Sequence, residues 1–503
     1  MKITETADYL RVAIHTLETK IAPEMTSSDG QAAAAILGRV LTELRRREEV
    51  SAPVLAASVS VARQLAKQLR DLAADNGVPV TVAATDTPDQ ADFSSLALQH
   101  AALTQEIEAL SSTLASRRSD LKDAAAQDQL SALLLDVGQW DEAFPSGQRT
   151  IALPAAPEAP PLPGESLSQD LLQAFLRSVH PDGDKVEIIE FKPIPGGFGK
   201  QTSRATYRDA SGVEHFVIIR KSDPTPMARK GAFLVDYEFH LLRDVYKTGI
   251  LPMAEPLWLA KDFPGVDADF YVMSALPGAV PSSFLGAASA SIPEEIILDM
   301  AEKMAKLHQM ELSHLTAYLT AYDNPTVLNE TIEDCYRRLI GEWKDYYEQN
   351  NHLPSPFVVY LLDWLDRNIP PNDASPVLVH GDFNVHNVLV DNGRITGVLD
   401  WECSNIGAPE QDLAYIRPII SQHIDWNRFI DHYEASGGRK INRGAMDFYM
   451  AFAAMRLCVI FNKGVKNLQD GVNSDIRYGI IDLDLTPEFM KQALVCTLKN
   501  YSQ

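Results

Sequence analysis

Three side chains in one part of the chain have the types and spacing that phosphoryl transfer requires. Residues 380–387 read HGDFNVHN, in which Asp382 and Asn387 are separated by four residues, and Asp400 opens the tripeptide Asp-Trp-Glu. A carboxylate can orient an acceptor hydroxyl and take its proton, while amide and carboxylate oxygens are ligands that Mg²⁺ prefers. The order D-x-x-x-x-N and then a metal aspartate is that of a kinase catalytic loop. We therefore predict Asp382 as the catalytic carboxylate and Asn387 and Asp400 as metal ligands.

Short β-strands are expected to position these three residues. Apolar runs at 377–379 and 388–390 flank the HGDFNVHN segment, and Asp391-Asn392-Gly393 predicts a turn before a further strand at 395–399. One hairpin would then present all three side chains near the same place.

The residues of these motifs resemble those of a known family. HGDFNVHNVLV, the later VLDWE and PEQDLAY (409–415) are similar to the aminoglycoside phosphotransferase (APH) family, also called the phosphotransferase enzyme family, over roughly residues 167–500. The resemblance implies an α+β, bilobal protein-kinase-like fold, an enzyme with an alcohol group as acceptor, Mg²⁺ and ATP (or GTP). It also implies that His380 braces the catalytic loop through backbone contacts and that Asp412 supports it. Glu402 is open between a carboxylate linked to the metal and a solvent-facing side chain.

A glycine-rich turn, PGGFGK (195–200), is expected to cover the nucleotide phosphates. It does not have the spacing of a P-loop, and threonine replaces the third glycine of G-x-G-x-x-G. Residues without bulky side chains allow a close approach of backbone amides to phosphate. The predicted contacts are the amides of Gly197, Phe198 and Gly199.

The remaining nucleotide contacts are assigned by the resemblance. The strand FVIIRK (216–221) offers Arg220, with Lys221 as the alternative, for the phosphates, and strand alternation allows only one of them to face the cleft. Glu238 on the following helix would be the ionic partner. In YVMSALPG (271–278), Ser274 and Leu276 would present main-chain groups to the nucleotide base.

Hydrophobic periodicity divides the chain into parts. Residues 1–148 have apolar residues at helical spacing and predict an all-helical accessory domain. Residues 149–166 are proline-rich and predict a linker. Alternating patterns then predict strands at 186–191, 202–208 and 214–220, so residues 167–275 form the β-rich small lobe. Residues 276–503 form the helical large lobe with the catalytic loop and the acceptor site.

Composition limits the partners. The formal net charge of −23 over 503 residues disfavours nucleic acid and anionic membranes, and the sequence has no apolar run of the roughly 20 residues that a membrane span needs. The four cysteines form no C-x-x-C pair, which favours a cytoplasmic protein with reduced thiols. The helical domain is expected to serve docking or homo-oligomerisation.

The acceptor is a small-molecule hydroxyl, whose identity is less constrained. FYMAFAAMRLCVIFNKGVKN (448–467) resembles the branch of the family associated with acyl-CoA dehydrogenases, which implies a hydroxyacid or a hydroxyacyl-CoA. Arg456, Lys463 and Lys466 recur at helical spacing and form either a basic patch for such an anion or an ordinary solvated face. One alternative is an antibiotic kinase that acts on an aminoglycoside or a macrolide, because an acidic protein suits a cationic drug. Another is a pseudokinase that acts as a scaffold, although Asp382, Asn387 and Asp400 are intact.

Overall fold

The structure is a computed structural model that describes residues 6–80, 93–143, 165–194, 199–281, 292–321, 325–472 and 477–499. Two units of tertiary structure are present. Unit 1 comprises Met1–Ala159, Ile340–Ile369 and Ala454–Gln503, and unit 2 comprises Pro160–Leu339 and Pro370–Ala453. Two segments that we expected in the large lobe therefore group with the N-terminal region. Of the predicted linker at 149–166, residues 149–164 lie outside the described part of the chain.

The described α-helices, in chain order, are α1 (Thr6–Thr16), α2 (Ser28–Asp75), α3 (Phe93–Ser116), α4 (Ala124–Ala143), α5 (Gln169–Val179), α6 (Val235–Thr248), α7 (Glu294–Gln309), α8 (Thr316–Ala321), α9 (Ile332–Gln349), α10 (Pro356–Arg367), α11 (Pro409–Ile420), α12 (Trp426–Ala435), α13 (Met446–Gln469), α14 (Arg477–Ile480) and α15 (Thr486–Lys499). The described strands are β1 (Glu187–Ile194), β2 (Lys200–Arg208), β3 (Glu214–Ser222), β4 (Pro256–Ala260), β5 (Phe270–Ser274), β6 (Val377–Val379), β7 (Val388–Asp391), β8 (Arg394–Val398) and β9 (Asn405–Gly407).

The small lobe of unit 2 is a five-stranded antiparallel sheet of order β1-β2-β3-β5-β4. Its strands alternate buried and exposed side chains because one face packs against α5, whose Leu172, Phe175 and Leu176 are buried in the core. Helix α6 follows β3 and ends at Gly249, which has the left-handed conformation (φ 66°) common at helix C-termini. The α+β fold expected from the sequence is present.

The large-lobe part of unit 2 departs from the single predicted hairpin. Strands β7 and β8 do form a hairpin, but β6 pairs with β9 in a separate two-stranded sheet. The segment 380–387 therefore leaves one small sheet and enters another, and both of its ends are held. The β9 strand was missed because it has only three residues and its partner lies more than 25 residues earlier.

The described residues of the N-terminal segment of unit 1 form helices joined by short turns and contain no strand. Helix α2 ends at Asp75, and Gly77 has a left-handed φ of 66°, as expected for the stop signal Asp-Asn-Gly. The Asp141 carboxylate of α4 is buried and accepts a hydrogen bond from the Phe357 amide at the start of α10 (2.9 Å). Arg118 binds Asp363 of α10 with two nitrogens. These charged contacts attach the N-terminal helices to α10 within unit 1.

The three cations proposed as a basic patch all have partners in unit 1. Arg456 is buried over the Trp343 ring, with its guanidinium carbon 5.7 Å from the ring centre. Lys463 donates to the Asn350 carbonyl (3.1 Å), and Lys466 pairs with Asp470. The contacts of all three are thus structural, which does not support the interpretation as an anion-binding patch.

One described helical stretch, Arg443–Gln469, is long and apolar enough to cross a membrane by length and composition. Of its most apolar window, 83% is buried inside the protein. A core helix accounts for this pattern.

A close approach of two helices in unit 1 depends on Gly138. A Cβ added there would lie 2.9 Å from Cγ of Tyr360, a fully buried residue of α10. We expect Gly138→Ala to lower the free energy of unfolding by about 1–3 kcal/mol through overpacking, measured by urea denaturation. The control is Gly341→Ala in α9, where the added methyl meets no atom within 4 Å and should stabilise by up to about 1 kcal/mol. Equal effects of the two variants would contradict the packing argument.

Candidate active site

A buried carboxylate holds the start of the HGDFNVHN segment. Asp412, in the first turn of α11, accepts hydrogen bonds from the amides of His380 (2.9 Å) and Gly381 (2.7 Å). His308 of α7 lies 3.1 Å away on the same carboxylate. Burial opposes ionisation of Asp412, but the His308 hydrogen bond and the two amides outweigh it and lower the pKa of this carboxyl. Asp412 therefore fixes the backbone of the loop without facing the cleft, as the resemblance implied.

The His380 imidazole links the HGDFNVHN segment to the backbone just before Asp400. Its Nε2 donates to the carbonyl of Leu399 (2.9 Å), and its Nδ1 accepts from the Asp382 amide (3.3 Å). Burial lowers the pKa of His380, so the neutral ring that this bonding pattern requires is the favoured form. The imidazole thus connects the Asp382 backbone to the residue before Asp400.

Asp382 and Asn387 are in direct contact. The Asn387 amide nitrogen donates to Asp382 Oδ2 (2.8 Å) and to the Asp382 carbonyl (2.9 Å). The other oxygen, Asp382 Oδ1, is buried and has no hydrogen-bond partner among the described residues, and His386 Nε2 is 3.8 Å from it. One oxygen of the carboxylate is therefore oriented by the protein, and the other is left as an acceptor for an external donor.

Asp400 is held at the end of β8 in an uncommon backbone conformation. Its φ is 60° and its ψ 68°, in the left-handed region that is uncommon for residues other than glycine. The Leu399 amide donates to the Asn387 carbonyl (2.8 Å), which ties this end of the hairpin to the predicted metal ligand. Burial alone would raise the pKa of Asp400, but the Arg220 guanidinium, 2.7 Å away, lowers it. Asp400 is thus an ionised carboxylate.

Asp400 belongs to a cluster of five charged side chains. Arg220 lies 2.7 Å from Asp400 and 3.6 Å from Glu238, so the expected ion pair with the helix glutamate is present. Lys200 lies 3.2 Å from Glu238 and 2.8 Å from Glu402. Tyr271 of β5 donates to Glu238 (3.0 Å). The cluster has three carboxyl groups and two cations, and burial raises the pKa of one of the carboxyl groups, Glu402.

Lys200 is the member of this cluster that the sequence analysis did not single out. Its ammonium is almost completely buried, with 1% side-chain exposure. Burial alone would lower its pKa, but Glu238 and Glu402 raise it above the ordinary value, so the side chain stays charged. The signal that could have found it is a lysine next to Gly199 combined with the glutamate of Asp-Trp-Glu. Glu402 is accordingly bound inside the cluster.

The residues predicted to contact the nucleotide phosphates, apart from Arg220, have different outcomes. Gly197 and Phe198 lie outside the described residues. Gly199 is described, and a Cβ there would lie 2.5 Å from a Glu402 carboxylate oxygen, so a larger residue would displace the end of this side chain. Lys221 points to the opposite face from Arg220 and pairs with Asp267 (2.6 Å), which removes it as the phosphate cation.

In the segment predicted to contact the nucleotide base, two backbone N–H groups already donate hydrogen bonds to carbonyls of the small lobe. The Ser274 amide donates to the Glu255 carbonyl and the Ala275 amide to Phe216, both at 2.9 Å. The Ser274 N–H is thus used within the sheet, so the predicted main-chain contact of Ser274 with the base would have to come from its carbonyl. Among the described residues, no backbone carbonyl accepts a hydrogen bond from the Leu276 amide, and the Leu276 side chain lies beside Gly397 of β8.

The chemistry of the donor set fits Mg²⁺. Both hydrogen bonds of the Asn387 side chain are donated by its nitrogen, so its oxygen is the atom that could bind a cation together with the Asp400 carboxylate. No group of three or more His, Cys, Asp or Glu side chains converges on a metal site in the described ranges. Two protein oxygens suit Mg²⁺, which completes its shell with phosphate oxygens and water.

The glycine of His-Gly-Asp can be tested directly. Gly381 has a φ of 79°, and a Cβ there would lie 2.8 Å from the carbonyl carbon of Cys403. We expect Gly381→Ala to displace the loop, to lower the free energy of unfolding by more than about 2 kcal/mol and to reduce activity at least tenfold. The matched control is Gly393→Ala, which has a φ of 74° but no atom within 4 Å of the added methyl. Similar losses in both variants would show that backbone conformation alone, not the contact with Cys403, is responsible. Urea unfolding and turnover measure the two effects.

Curated proteins are similar to part of this chain. Acyl-CoA dehydrogenase family member 11 of Mus musculus is 30% identical over 278 residues, which are 51% of this chain and 34% of that protein. The Gallus gallus protein of the same name is 31% identical over 206 residues, 39% of this chain and 24% of that protein. The chain thus spans about a third or less of the length of these curated relatives.

Solved structures match at lower similarity. A putative aminoglycoside phosphotransferase from Ralstonia eutropha is 21% identical, with a TM-score of 0.48, and the match covers 66% of this chain and 98% of that one. The sequence profile described as "Phosphotransferase enzyme family" (APH) matches residues 190–449, which include the small-lobe strands, the HGDFNVHN segment and the first residues of α13. Because this match spans more than half of the chain, the protein belongs to the phosphotransferase enzyme family.

Proposed function

We propose that this small-molecule phosphotransferase moves the γ-phosphoryl group of ATP to the hydroxyl of a hydroxyacid or a hydroxyacyl-CoA. The observation that carries the reaction type is the buried, unpartnered Oδ1 of Asp382. Its position beside Asn387, together with the ionised Asp400, suits transfer to a hydroxyl. A kinase acceptor needs such an oxygen within hydrogen-bond reach of its O–H group.

Asp382 would orient the acceptor and receive its proton. The acceptor oxygen forms a new bond to the γ-phosphorus, the bond from that phosphorus to the β–γ bridging oxygen breaks, and ADP leaves with the electron pair. The hydroxyl proton passes to Asp382 Oδ1. The Asn387 amide keeps Oδ2 engaged at 2.8 Å, so the carboxylate presents Oδ1 in one orientation.

Asn387 and Asp400 would hold Mg²⁺, which supplies positive charge that neutralises the phosphate oxygens during transfer. The protein prepares this site in two ways. Arg220 lowers the pKa of Asp400 and keeps it ionised. The Leu399 amide, bonded to the Asn387 carbonyl, keeps the two residues adjacent.

The acceptor class is supported by the relatives. Proteins named as acyl-CoA dehydrogenase family members share 30–31% identity with this chain over at least 206 residues. A phosphotransferase region similar to part of such proteins is expected to act on an acyl compound with a hydroxyl group. The structural partners of Arg456, Lys463 and Lys466 remove one candidate site for the CoA phosphates, which favours the free hydroxyacid within this class.

The substrate class is tested by ATP turnover with a panel of acceptors. The panel contains 3- and 4-hydroxyacids, their CoA thioesters, kanamycin and erythromycin, with Mg²⁺ present, and the product is detected by phosphorus NMR or mass spectrometry. Phosphorylation of a hydroxyacid or thioester is expected. Phosphorylation of the drugs alone would move the protein to the antibiotic kinases, and nucleotide binding without any transfer would support a scaffold.

Asp382→Asn should abolish turnover while the nucleotide still binds. The amide keeps the size of the side chain but cannot take the acceptor proton, so we expect kcat to fall by about 10³-fold or more, with less than a threefold change in the Kd of ATP. Asp391→Asn, on the exposed β7–β8 turn, is the matched control and should keep wild-type kcat. Near-native turnover of Asp382→Asn would refute the assignment.

A further inference from the structure

We propose that Lys200, rather than Arg220 or Lys221, is the cation that binds the nucleotide phosphates, and that Arg220 serves to orient Asp400. The inference rests on the proposed function because it requires a nucleoside triphosphate in this site. It reassigns the role that strand β3 supplies in kinases to a residue that directly follows the glycine-rich turn on β2.

Strand register places Lys200 and Arg220 on the same face of the sheet. Thr202 of β2 is directly opposite Arg220 of β3, and Lys200 is two residues from Thr202 along the strand. Side chains two residues apart in a strand point to the same face. Lys221, the neighbour of Arg220, must point the other way, as its contact with Asp267 shows.

The glutamate of α6 identifies which cation has the phosphate-binding position. In kinases the phosphate-binding lysine pairs with a glutamate on the helix that follows β3. Glu238 is that glutamate, and its nearer cation is Lys200, at 3.2 Å, whereas Arg220 is at 3.6 Å. Arg220 makes its shortest contact, 2.7 Å, with Asp400. The pairing typical of the phosphate lysine is thus reproduced by Lys200.

Both cations keep a donor, because the buried Nε of Arg220 has no hydrogen-bond partner among the described residues. The Lys200 ammonium carries three N–H groups; it donates to Glu402 at 2.8 Å and forms an ion pair with Glu238 at 3.2 Å. A phosphate oxygen can accept the third without breaking either ion pair. Gly199 is adjacent in sequence, so the same short segment would supply a backbone amide and an ammonium to the phosphates.

Glu402 completes the arrangement from the large lobe of unit 2. Its carboxylate reaches the Lys200 ammonium at 2.8 Å and occupies the space beside Gly199 that a Cβ would fill. The glutamate of Asp-Trp-Glu therefore positions the lysine, while the aspartate of the same tripeptide remains a metal ligand. Glu402 is a positioning residue in this scheme.

Affinity labelling of the wild-type protein tests the proposal without relying on the folding of a variant. An acyl phosphate of ATP transfers its acyl group to a lysine amine near the phosphates. We expect peptide mapping to find Lys200 acylated and excess Mg·ATP to prevent it. Labelling of Lys221 instead, or of no lysine under conditions in which fluorescent mant-ATP binds, would overturn the inference.

Variants then measure the contribution of each cation. Lys200→Met should weaken binding of mant-ATP and mant-ADP by at least tenfold and change mant-AMP binding less, because the lost contact is to the outer phosphates. Lys200→Arg, which keeps the charge, should restore part of the affinity. The control Lys192→Met changes an exposed lysine of β1 that pairs with Glu190, and its affinities should stay within twofold of wild type.

The outcomes separate this inference from the proposed function. If wild-type protein does not bind mant-ATP, the proposed function fails. If it binds and Arg220→Met loses the affinity while Lys200→Met, folded by circular dichroism, stays within twofold, Arg220 is the phosphate cation and the inference is wrong.

Discussion

The geometry of the site depends on one buried carboxylate that binds backbone amides. Asp412 accepts from two consecutive amides of the catalytic loop, and a loop with free, buried N–H groups would be costly. Because the carboxylate is ionised and inside the protein, removal of either partner leaves an uncompensated polar group. The positive φ of Gly381 and the neutral His380 follow from this attachment: the backbone must turn sharply there, and the imidazole must act as both donor and acceptor. The orientation of Asp382 is the consequence.

Buried aspartates also accept hydrogen bonds from backbone amides elsewhere in the chain. Asp244 caps the start of α8 through two amides, Asp299 accepts from the Ile395 amide in the β7–β8 hairpin, and Asp141 accepts from Phe357 in unit 1. Each of these carboxylates is buried. Part of the formal net charge of −23 therefore comes from buried carboxylates that accept hydrogen bonds from backbone amides. The overall charge is for this reason a poor guide to the charge of the acceptor.

Sequence reasoning succeeded where a local pattern determines the structure. Alternation gave the strands of the small lobe because one face of the sheet is buried. Of the three residues predicted from their spacing, Asp382 and Asn387 are in direct contact, and the residue before Asp400 is hydrogen-bonded to the Asn387 carbonyl. Sequence reasoning failed where distant residues decide. Lys200 and Glu402 are 202 residues apart, and a role in the site can be inferred for either residue only from their contact in the folded structure. The hydrogen bond from the Ser274 amide to the Glu255 carbonyl likewise depends on how β4 lies beside β5. The grouping of residues 340–369 and 454–503 with the N-terminal helices likewise follows from packing that periodicity cannot show.

The charged cluster explains why arginine is compatible with the β3 position of this chain. A phosphate cation must have a donor for the ligand beside its protein contacts, whereas a cation that orients a metal carboxylate must keep its contact with that carboxylate. Arginine is planar and always charged, and it can contact several carboxylates at once, as Arg220 does with Asp400, Glu238 and Glu402. Lysine is compact, with three rotatable donors, and suits a shared contact between two glutamates and a phosphate. The two cations are therefore not equivalent copies of one function, and the exchange of one for the other would disturb both the carboxylate and the phosphate side of the site.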